Sequence, residues 1–289
     1  MLVMISQLCT EESLRSPDLQ VWANRLRPTW DPDGTDPKEL LVHRKTWEWL
    51  FIAEALSEHR MLESGRTGIG FGVGKEPLVA LFASEGCEIV ATDLQADKAE
   101  ATGWRETGAE YADGLAGLND AGLCDPEAFS RLVSYLDVDM TNLSPGLGEF
   151  DFSWSSCAFE HLGSIVAGAD FLVNQMQLVR PGGVAVHTTE FNCSSDDETI
   201  SGGGTVLYRR SDIIAIAKRL TEAGYRITLD LTEGASPADR HVDVPPFSNT
   251  HLRTMLGEFI TTSVGLIIEK PDDWVPKRQR WAWLRWIRG

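Results

Sequence analysis

The arrangement of apolar and polar positions predicts strands that alternate with helices along most of the chain. Short apolar runs bounded by glycine, proline or acidic residues are typical of buried strands. Between them, apolar residues recur near a 3.6-residue period, as in helices packed on one face. This alternation favours an α/β fold with a doubly wound, mostly parallel, seven-stranded sheet. The predicted strands cover residues 67–72, 88–92, 135–138, 150–156, 184–187, 226–231 and 263–269.

The same pattern divides the chain into three parts. Residues 1–62 form a helical and irregular N-terminal extension, with helical periodicity over residues 38–62. Residues 63–270 form the α/β domain, and residues 271–289 form a basic, tryptophan-rich tail. The extension either packs on the sheet or caps a site at its edge, and the sequence leaves both interpretations open.

Composition and charge narrow the classes of function. The formal net charge of -17 over 289 residues disfavours a nucleic acid partner, because such a surface repels phosphate backbones. No apolar run reaches the ~20 residues that span a bilayer. The five cysteines are scattered and include no Cys-x-x-Cys pair. This usage predicts reduced thiols in a cytoplasmic protein, without a disulfide framework or a zinc site.

A glycine-rich run follows the first predicted strand of the α/β domain. Gly70, Gly72 and Gly74 alternate with Phe71 and Val73, and a helical pattern begins soon after them. Glycine lets the backbone turn tightly and approach a ligand closely. The Gly-x-Gly-x-x-Gly spacing of dinucleotide-binding folds is absent, which disfavours an NAD-dependent oxidoreductase.

Acidic residues end the next two predicted strands. Asp93, with Leu94 beside it, lies about 20 residues after the glycine run, where a carboxylate can accept both hydroxyls of an adenosine ribose. Asp139 and Met140 end the third predicted strand in the same way. Together with the glycine run, these strand ends predict a site for a nucleotide-like cofactor at the carboxyl edge of the sheet.

Segments in this order resemble the motifs of class I S-adenosylmethionine (SAM) methyltransferases. After the glycine run and Asp93 come the stretch 150–162 and the turn 178–183, so the resemblance covers residues 67–190. It implies a Rossmann-like methyltransferase fold and SAM as the cofactor. The cofactor-binding residues that it implies are Gly70, Phe71, Gly72, Gly74, Glu76, Asp93, Leu94, Asp139, Met140, Ser155 and Ser156.

One position departs from this family pattern. Many class I enzymes have Asp or Glu two residues before the first glycine of the loop, where this chain has Gly68. The family acid helps to organise the loop and the methionine end of SAM. Glu76, in the first turn of the next predicted helix, is the nearest acid that could replace it. Glu76 could equally be an acid that complements the helix dipole.

Residues 70–78, 154–162 and 187–192 also resemble a bacterial subgroup associated with surface-polysaccharide or natural-product gene clusters. This resemblance implies O-methylation of a sugar, a glycan or another hydroxylated small molecule. Two alternatives stay open. One is N- or C-methylation of a natural product, and the other is a non-catalytic SAM-fold binding protein.

A hydroxyl acceptor benefits from a base that takes its proton. The candidates are His161 after the fourth predicted strand, His187 and Glu190 at the end of the fifth, and His241 in the loop after the sixth. Histidine titrates near neutral pH, so His187 leads, although each histidine could be structural. His187, Glu190, His241 and Asp243 could also hold magnesium, but two histidines fit that ion poorly and no metal is predicted.

The C-terminal tail is basic and aromatic in an otherwise acidic chain. From Lys277 onward, arginines and lysine are interleaved with Trp281, Trp283 and Trp286. Such a segment could lie on an anionic membrane surface. It could instead dock on the domain or on a second subunit of a homodimer, which is favoured because tryptophans bury large apolar areas.

Overall fold

The computed structural model describes residues 4–31, 42–95, 114–115, 117–248 and 250–276. The tail from Lys277 onward, with its predicted membrane or subunit contact, lies outside the described residues. The strands are β1 (Ser6–Leu8), β2 (Val42–His43), β3 (Thr67–Phe71), β4 (Glu88–Asp93), β5 (Val133–Asp137), β6 (Phe150–Ser156), β7 (Val179–Asn192), β8 (Leu229–Asp230), β9 (Val242–Asp243), β10 (Thr250–His251), β11 (Arg253–Leu256) and β12 (Phe259–Glu269).

A ten-stranded sheet crosses the centre of the protein in the order β5-β4-β3-β6-β7-β12-β1-β8, with β11 paired to β12 and β9 to β11. The strands from β5 to β7 in this order are parallel to their neighbours. β12 is antiparallel to β7, and β1 is antiparallel to β12. Successive strands are added on one side of β3 up to β5 and on its other side from β6 onward. Doubly wound folds bind their ligands at the point where the strand order reverses in this way. The doubly wound, mostly parallel fold is therefore confirmed.

The sheet is larger than the seven strands that the sequence predicts. All seven predicted strands are present, and β1, β9 and β11 add short segments of two to four residues, which are too short to show a period. β1 comes from the N-terminal extension and fills the space between β12 and β8: Gln7 is paired with Gly265 on one side and Asp230 on the other. The domain boundaries at residues 62 and 270 stay predictions.

Helices cover both faces of the sheet. Helices α2 to α5 pack on one face and α6 and α7 on the other, and each face has its own apolar core. Among the described residues, no helix combines the length and apolarity needed to cross a bilayer. The helices are α1 (Glu11–Leu14), α2 (Pro17–Leu26), α3 (Arg44–Glu58), α4 (Leu78–Ser84), α5 (Pro126–Leu132), α6 (Ile165–Gln175), α7 (Arg210–Ala223) and α8 (Pro237–Arg240).

Helix α3 holds the N-terminal extension directly on the sheet. It is buried along most of its length and packs against β6, β7 and β12. Phe51 fits over a gap in β12, because a Cβ on Gly265 would come within 2.3 Å of its ring. His43 caps the helix, since its Nδ1 accepts a hydrogen bond from the backbone N–H of Lys45 at 3.0 Å. The first turn of α3 therefore reaches the carboxyl ends of β6 and β7.

Candidate active site

The glycine loop is fixed to the end of the neighbouring strand. Gly72 and Gly74 have φ values of +57° and +50°, which favour glycine. The backbone N–H of Gly74 donates to Oδ2 of Asp93 at 3.1 Å, and that of Leu94 donates to Oδ1 at 2.8 Å. Asp93 is only 2% exposed. The loop after β3 and the end of β4 thus share one oriented carboxylate.

Two glycines of β3 leave room for the aromatic side chains of β6. Gly68 is paired with Phe152, and Gly70 with Trp154. A Cβ on Gly68 would lie 2.3 Å from the Phe152 ring, and one on Gly70 would lie 2.4 Å from the Trp154 ring. An acid at position 68 is therefore excluded by packing, which explains the departure from the family pattern.

Glu76 places a carboxyl group beside these rings. Its Oε1 accepts a hydrogen bond from the indole Nε1 of Trp154 at 2.8 Å. Burial raises the pKa of Glu76 to about 8, against the opposing effects of Lys45 and of the Trp154 hydrogen bond. Glu76 is thus a buried acid at the glycine loop rather than an exposed acid at a helix end.

The other predicted cofactor residues lie around the same strand ends. Asp139 accepts hydrogen bonds at Oδ1 from the backbone N–H and the hydroxyl of Thr141, at 2.9 and 2.6 Å. Met140 lies over the loop, with its sulfur 3.6 Å from the place of a Cβ on Gly72. Ser155 and Ser156 are buried and point into the protein on the two faces of β6. The Ser155 hydroxyl shares a hydrogen bond with His187, and the Ser156 hydroxyl donates one to Glu48.

His187 lies inside the apolar core instead of at an open site. It has no exposed surface, and its ring packs against Phe159 and Phe171 at centroid distances of 6.3 and 5.6 Å. Its Nδ1 shares a hydrogen bond of 2.8 Å with the hydroxyl of Ser155. Burial lowers the pKa of His187 to about 3. A neutral, enclosed imidazole is poorly suited to take a proton from an acceptor, which disfavours the leading candidate base.

The two other candidate histidines lie in separate loops. His161 Nδ1 contacts the backbone carbonyl of Gly204 at 2.8 Å. His241 Nε2 is 3.7 Å from Oδ1 of Asp243, whose other oxygen is 2.7 Å from Nδ1 of His251. The magnesium site that the sequence left as an alternative is not assembled, because His187 and Glu190 point to opposite faces of β7.

Glu190 instead belongs to a buried group of charges, here called the acid–base cluster, at the carboxyl ends of β6 and β7. Arg44 Nη2 lies 2.5 Å from Oε1 of Glu190, and the hydroxyl of Thr261 donates to Oε2 at 2.7 Å. Lys45 Nζ lies 3.1 Å from a carboxylate oxygen of Glu48. The members of the cluster are Arg44, Lys45, Glu48, Glu160 and Glu190.

Glu48 pairs with both cations of the acid–base cluster. Burial raises its pKa, but Lys45 and Arg44 outweigh burial and hold the pKa at about 2. Its oxygens also accept hydrogen bonds from the hydroxyls of Ser263 at 2.5 Å and Ser156 at 3.3 Å. Glu48 is not among the site residues predicted from the sequence. An acid on the otherwise apolar face of α3 was the available signal, because buried acids require partners.

A cavity of about 380 Å³ opens beside the acid–base cluster. Its wall combines charged and polar groups with apolar ones. His43 and His251 stack at its edge, with ring centroids 4.5 Å apart. The main lining residues are His43, Arg44, Glu190, Phe247, His251 and Met255. A small organic molecule could thus contact a carboxylate and aromatic rings in one place.

No known family profile matches the chain, and no curated protein matches it. Solved structures that resemble it include the methyltransferase domain of bacterial CtHen1, with 13% identity, a TM-score of 0.46, and coverage of 76% of this chain and 96% of that one. The CcbJ methyltransferase of Streptomyces caelestis has 14% identity and a TM-score of 0.44, over 83% of this chain and 99% of that one.

The glycopeptide N-methyltransferase MtfA has 13% identity and a TM-score of 0.44, over 76% of this chain and 94% of that one. All three TM-scores lie below 0.5. The fold assignment therefore rests on the strand order and register of the sheet.

Proposed function

We propose that the protein is a SAM-dependent methyltransferase whose acceptor enters the cavity beside Glu190. One observation carries the proposal: the glycine loop after β3 is fixed to the Asp93 carboxylate at the end of β4. This arrangement lets the backbone come close to a ligand and presents an oriented carboxylate that can accept hydrogen bonds. Both lie at the point where a doubly wound sheet binds a nucleoside.

The residues at this edge fit the chemical groups of SAM. The Asp93 carboxylate is oriented by the backbone N–H groups of Gly74 and Leu94, and it is proposed to accept the ribose hydroxyls. Asp139 and Met140 are proposed to hold the adenine. Glu76, in place of the excluded acid at position 68, is proposed to receive the methionine ammonium. Because burial raises the Glu76 pKa to about 8, binding of that cation should release a proton.

SAM, when bound, supplies an electrophilic methyl group. For the acceptor proton, the structure favours Glu190 over the histidines. Glu190 lines the cavity, and Arg44 and Thr261 fix its carboxylate. His187 is enclosed on the opposite face of β7. We therefore propose that Glu190 orients the acceptor and takes its proton.

The proposed acceptor is a hydroxyl of a sugar, a glycan or another hydroxylated small molecule. Hydrogen-bonding groups of Arg44, Glu190 and Thr261 line one part of the cavity, and the stacked His43 and His251 rings line another. Such a wall suits a ring that carries several hydroxyls. Release of S-adenosylhomocysteine with polyol and saccharide acceptors would support this, whereas turnover with amine acceptors alone would contradict it.

Titration calorimetry with SAM tests the proposal. Wild-type protein should bind one equivalent, and Asp93→Ala should bind at least about tenfold more weakly, a loss of ~1.4 kcal/mol, because the ribose acceptor is gone. Asp125→Ala is the matched control, since Asp125 caps α5 with bonds to the backbone of Glu127 and Ala128. Folded wild-type protein that fails to bind SAM, or binds NADH instead, would reject the proposal.

A further inference from the structure

Three side chains that could ligate a metal converge next to the cavity. The ligand atoms of Cys157, Glu160 and Glu190 all lie within 4.8 Å of one another. Cys157 directly follows β6, Glu160 lies in the short turn Phe159–His161, and Glu190 lies on β7. Cys157 and Glu160 lie three residues apart in sequence, whereas Glu190 lies on a later strand, and the fold brings all three to one edge of the sheet.

Glu160 presents an unpaired oxygen at this place. The residue is 1% exposed. Its Oε2 accepts a hydrogen bond from the hydroxyl of Thr189 at 3.0 Å. Its Oε1 is buried and finds no hydrogen-bond donor in the part of the chain that the structure describes. A buried carboxylate oxygen without a partner is costly, so a positively charged ligand at this atom would lower the free energy of the folded protein.

The turn after β6 holds Cys157 in an uncommon conformation. Its φ is +49°, in the region that favours glycine. Two hydrogen bonds from its backbone N–H keep it there, to the carbonyl oxygen of Thr188 at 3.1 Å and to the Thr188 hydroxyl at 3.2 Å. This conformation brings the thiol into contact with the acids, and burial raises its pKa well above the usual value. Such local strain is typical of functional sites.

The acid–base cluster also has room for a further positive charge. Glu48, Glu160 and Glu190 are three carboxyl groups, whereas Arg44 and Lys45 supply two cations. Arg44 and Thr261 each use one lone pair of Glu190, and each of its oxygens keeps another. A divalent cation beside Glu160 and Glu190 would therefore be attracted by the cluster.

We propose that Cys157, Glu160 and Glu190 bind one divalent transition-metal ion of the zinc type, with a fourth coordination position open towards the cavity. A thiolate with two carboxylates suits zinc, whereas magnesium and calcium prefer oxygen ligands alone. On binding, the S–H bond of Cys157 is replaced by a sulfur–metal bond and the proton leaves to solvent. This proposal departs from the sequence-based expectation that the scattered cysteines form no zinc site. The site does not depend on methyl transfer: with the ion bound, Glu190 is a ligand, and its proposed role as base belongs to the metal-free protein.

Cobalt(II) is the probe for the proposed site. Full-length protein treated with a chelator is titrated with cobalt chloride, without SAM. One equivalent should produce a thiolate-to-cobalt charge-transfer absorption in the near ultraviolet, and zinc should remove it. Cys157→Ser should lose this absorption, whereas Cys193→Ser should keep it, because Cys193 is another partly exposed free cysteine. Wild-type protein without the absorption would overturn the proposal.

Thermal unfolding gives a second readout that is independent of the spectrum. Zinc chloride should raise the unfolding temperature of wild-type protein and of Cys193→Ser, since it binds only the folded state. Glu160→Gln preserves the size of the side chain and should bind zinc at least about tenfold more weakly. Equal zinc affinity in wild type, Cys157→Ser and Glu160→Gln would overturn the proposal. SAM calorimetry on the same samples separates this result from a failure of the proposed methyltransferase function.

Discussion

At the scale of single residues, Glu76 makes the stability of the protein depend on pH. Its pKa of about 8 in the folded protein lies above its unfolded value, so the folded state holds a proton that the unfolded state has released. The resulting stabilisation is complete below about pH 4 and is lost as pH rises to about 8, by at most ~1.4 kcal/mol per pH unit.

We therefore expect the unfolding temperature of wild-type protein to fall between about pH 5 and about pH 8 by more than that of Glu76→Gln. Thermal denaturation followed by circular dichroism across this range measures the difference. The comparison isolates Glu76, because all other titrating groups are common to both proteins. Parallel curves would show that Glu76 is ionised in the folded state throughout the range.

The packing at Gly68 leads to a second residue-scale prediction. Gly68→Asp restores the family acid, yet its Cβ would overlap the Phe152 ring at 2.3 Å. Chemical denaturation should show a loss of about 1–3 kcal/mol in unfolding free energy, and SAM affinity should not rise. Gly204→Ala is the control, since a Cβ there meets nothing within 4 Å. A stable Gly68→Asp protein that binds SAM more tightly would contradict the assignment of Glu76.

The site residues could be predicted from the sequence only where the course of the main chain determines their role. Gly72 and Gly74 could be selected because they alternate with apolar residues at the end of a predicted strand, and their positive φ values favour glycine. Asp93 could be selected because it ends the next strand, beside them. The surroundings of His187 could not be predicted, because the residues around it in the sequence are compatible both with an open strand end and with a buried core. Phe171, from the helix that precedes β7 in sequence, packs edge-on against the imidazole.

At the scale of elements, the position of α3 determines the geometry of the acid–base cluster. The helix rests on β12 where Gly265 leaves room for Phe51. Gly265→Ala should displace the helix and destabilise the protein by about 1–3 kcal/mol. It should also weaken the binding of ligands at the acid–base cluster, because Arg44 and Glu48 lie on α3 and move with it.

Chemical denaturation of Gly265→Ala, alone and combined with Phe51→Leu, measures this effect. The smaller leucine should recover part of the lost stability, and the two changes should be non-additive because their side chains touch. Gly204→Ala again serves as the control. Full additivity would show that the Gly265–Phe51 contact does not set the helix position.

The long elements were predictable, whereas the short ones were not. Buried parallel strands such as β3 and β6 read as apolar runs between glycine and acidic residues. β1, β9 and β11 form because neighbouring strands offer unpaired backbone groups, a condition that their own sequences do not contain. The role of α3 at the site was open for the same reason: periodicity locates a helix but not its docking position.

At the scale of the whole molecule, the net charge of -17 should make stability depend on salt. Like charges repel one another in the compact state. At physiological ionic strength, salt screens the repulsion between exposed charges that lie more than about 8–10 Å apart. Sodium chloride raised from low concentration to about 0.15 M should therefore raise the unfolding temperature. Near about pH 5, where carboxylates begin to take up protons, the gain should shrink. An equal gain at both pH values would point to another cause.

The place of β1 has a consequence for the newly made chain. The hydroxyl of Ser6 accepts a hydrogen bond from the backbone N–H of Ile267, across a sequence separation of 261 residues. At about 5–20 residues per second, a ribosome needs more than about ten seconds to make the strand that receives β1. Throughout that interval β1 lacks the strand with which it pairs in antiparallel register. The pairing that holds β1 in the middle of the sheet therefore forms late, only after β12 has been made.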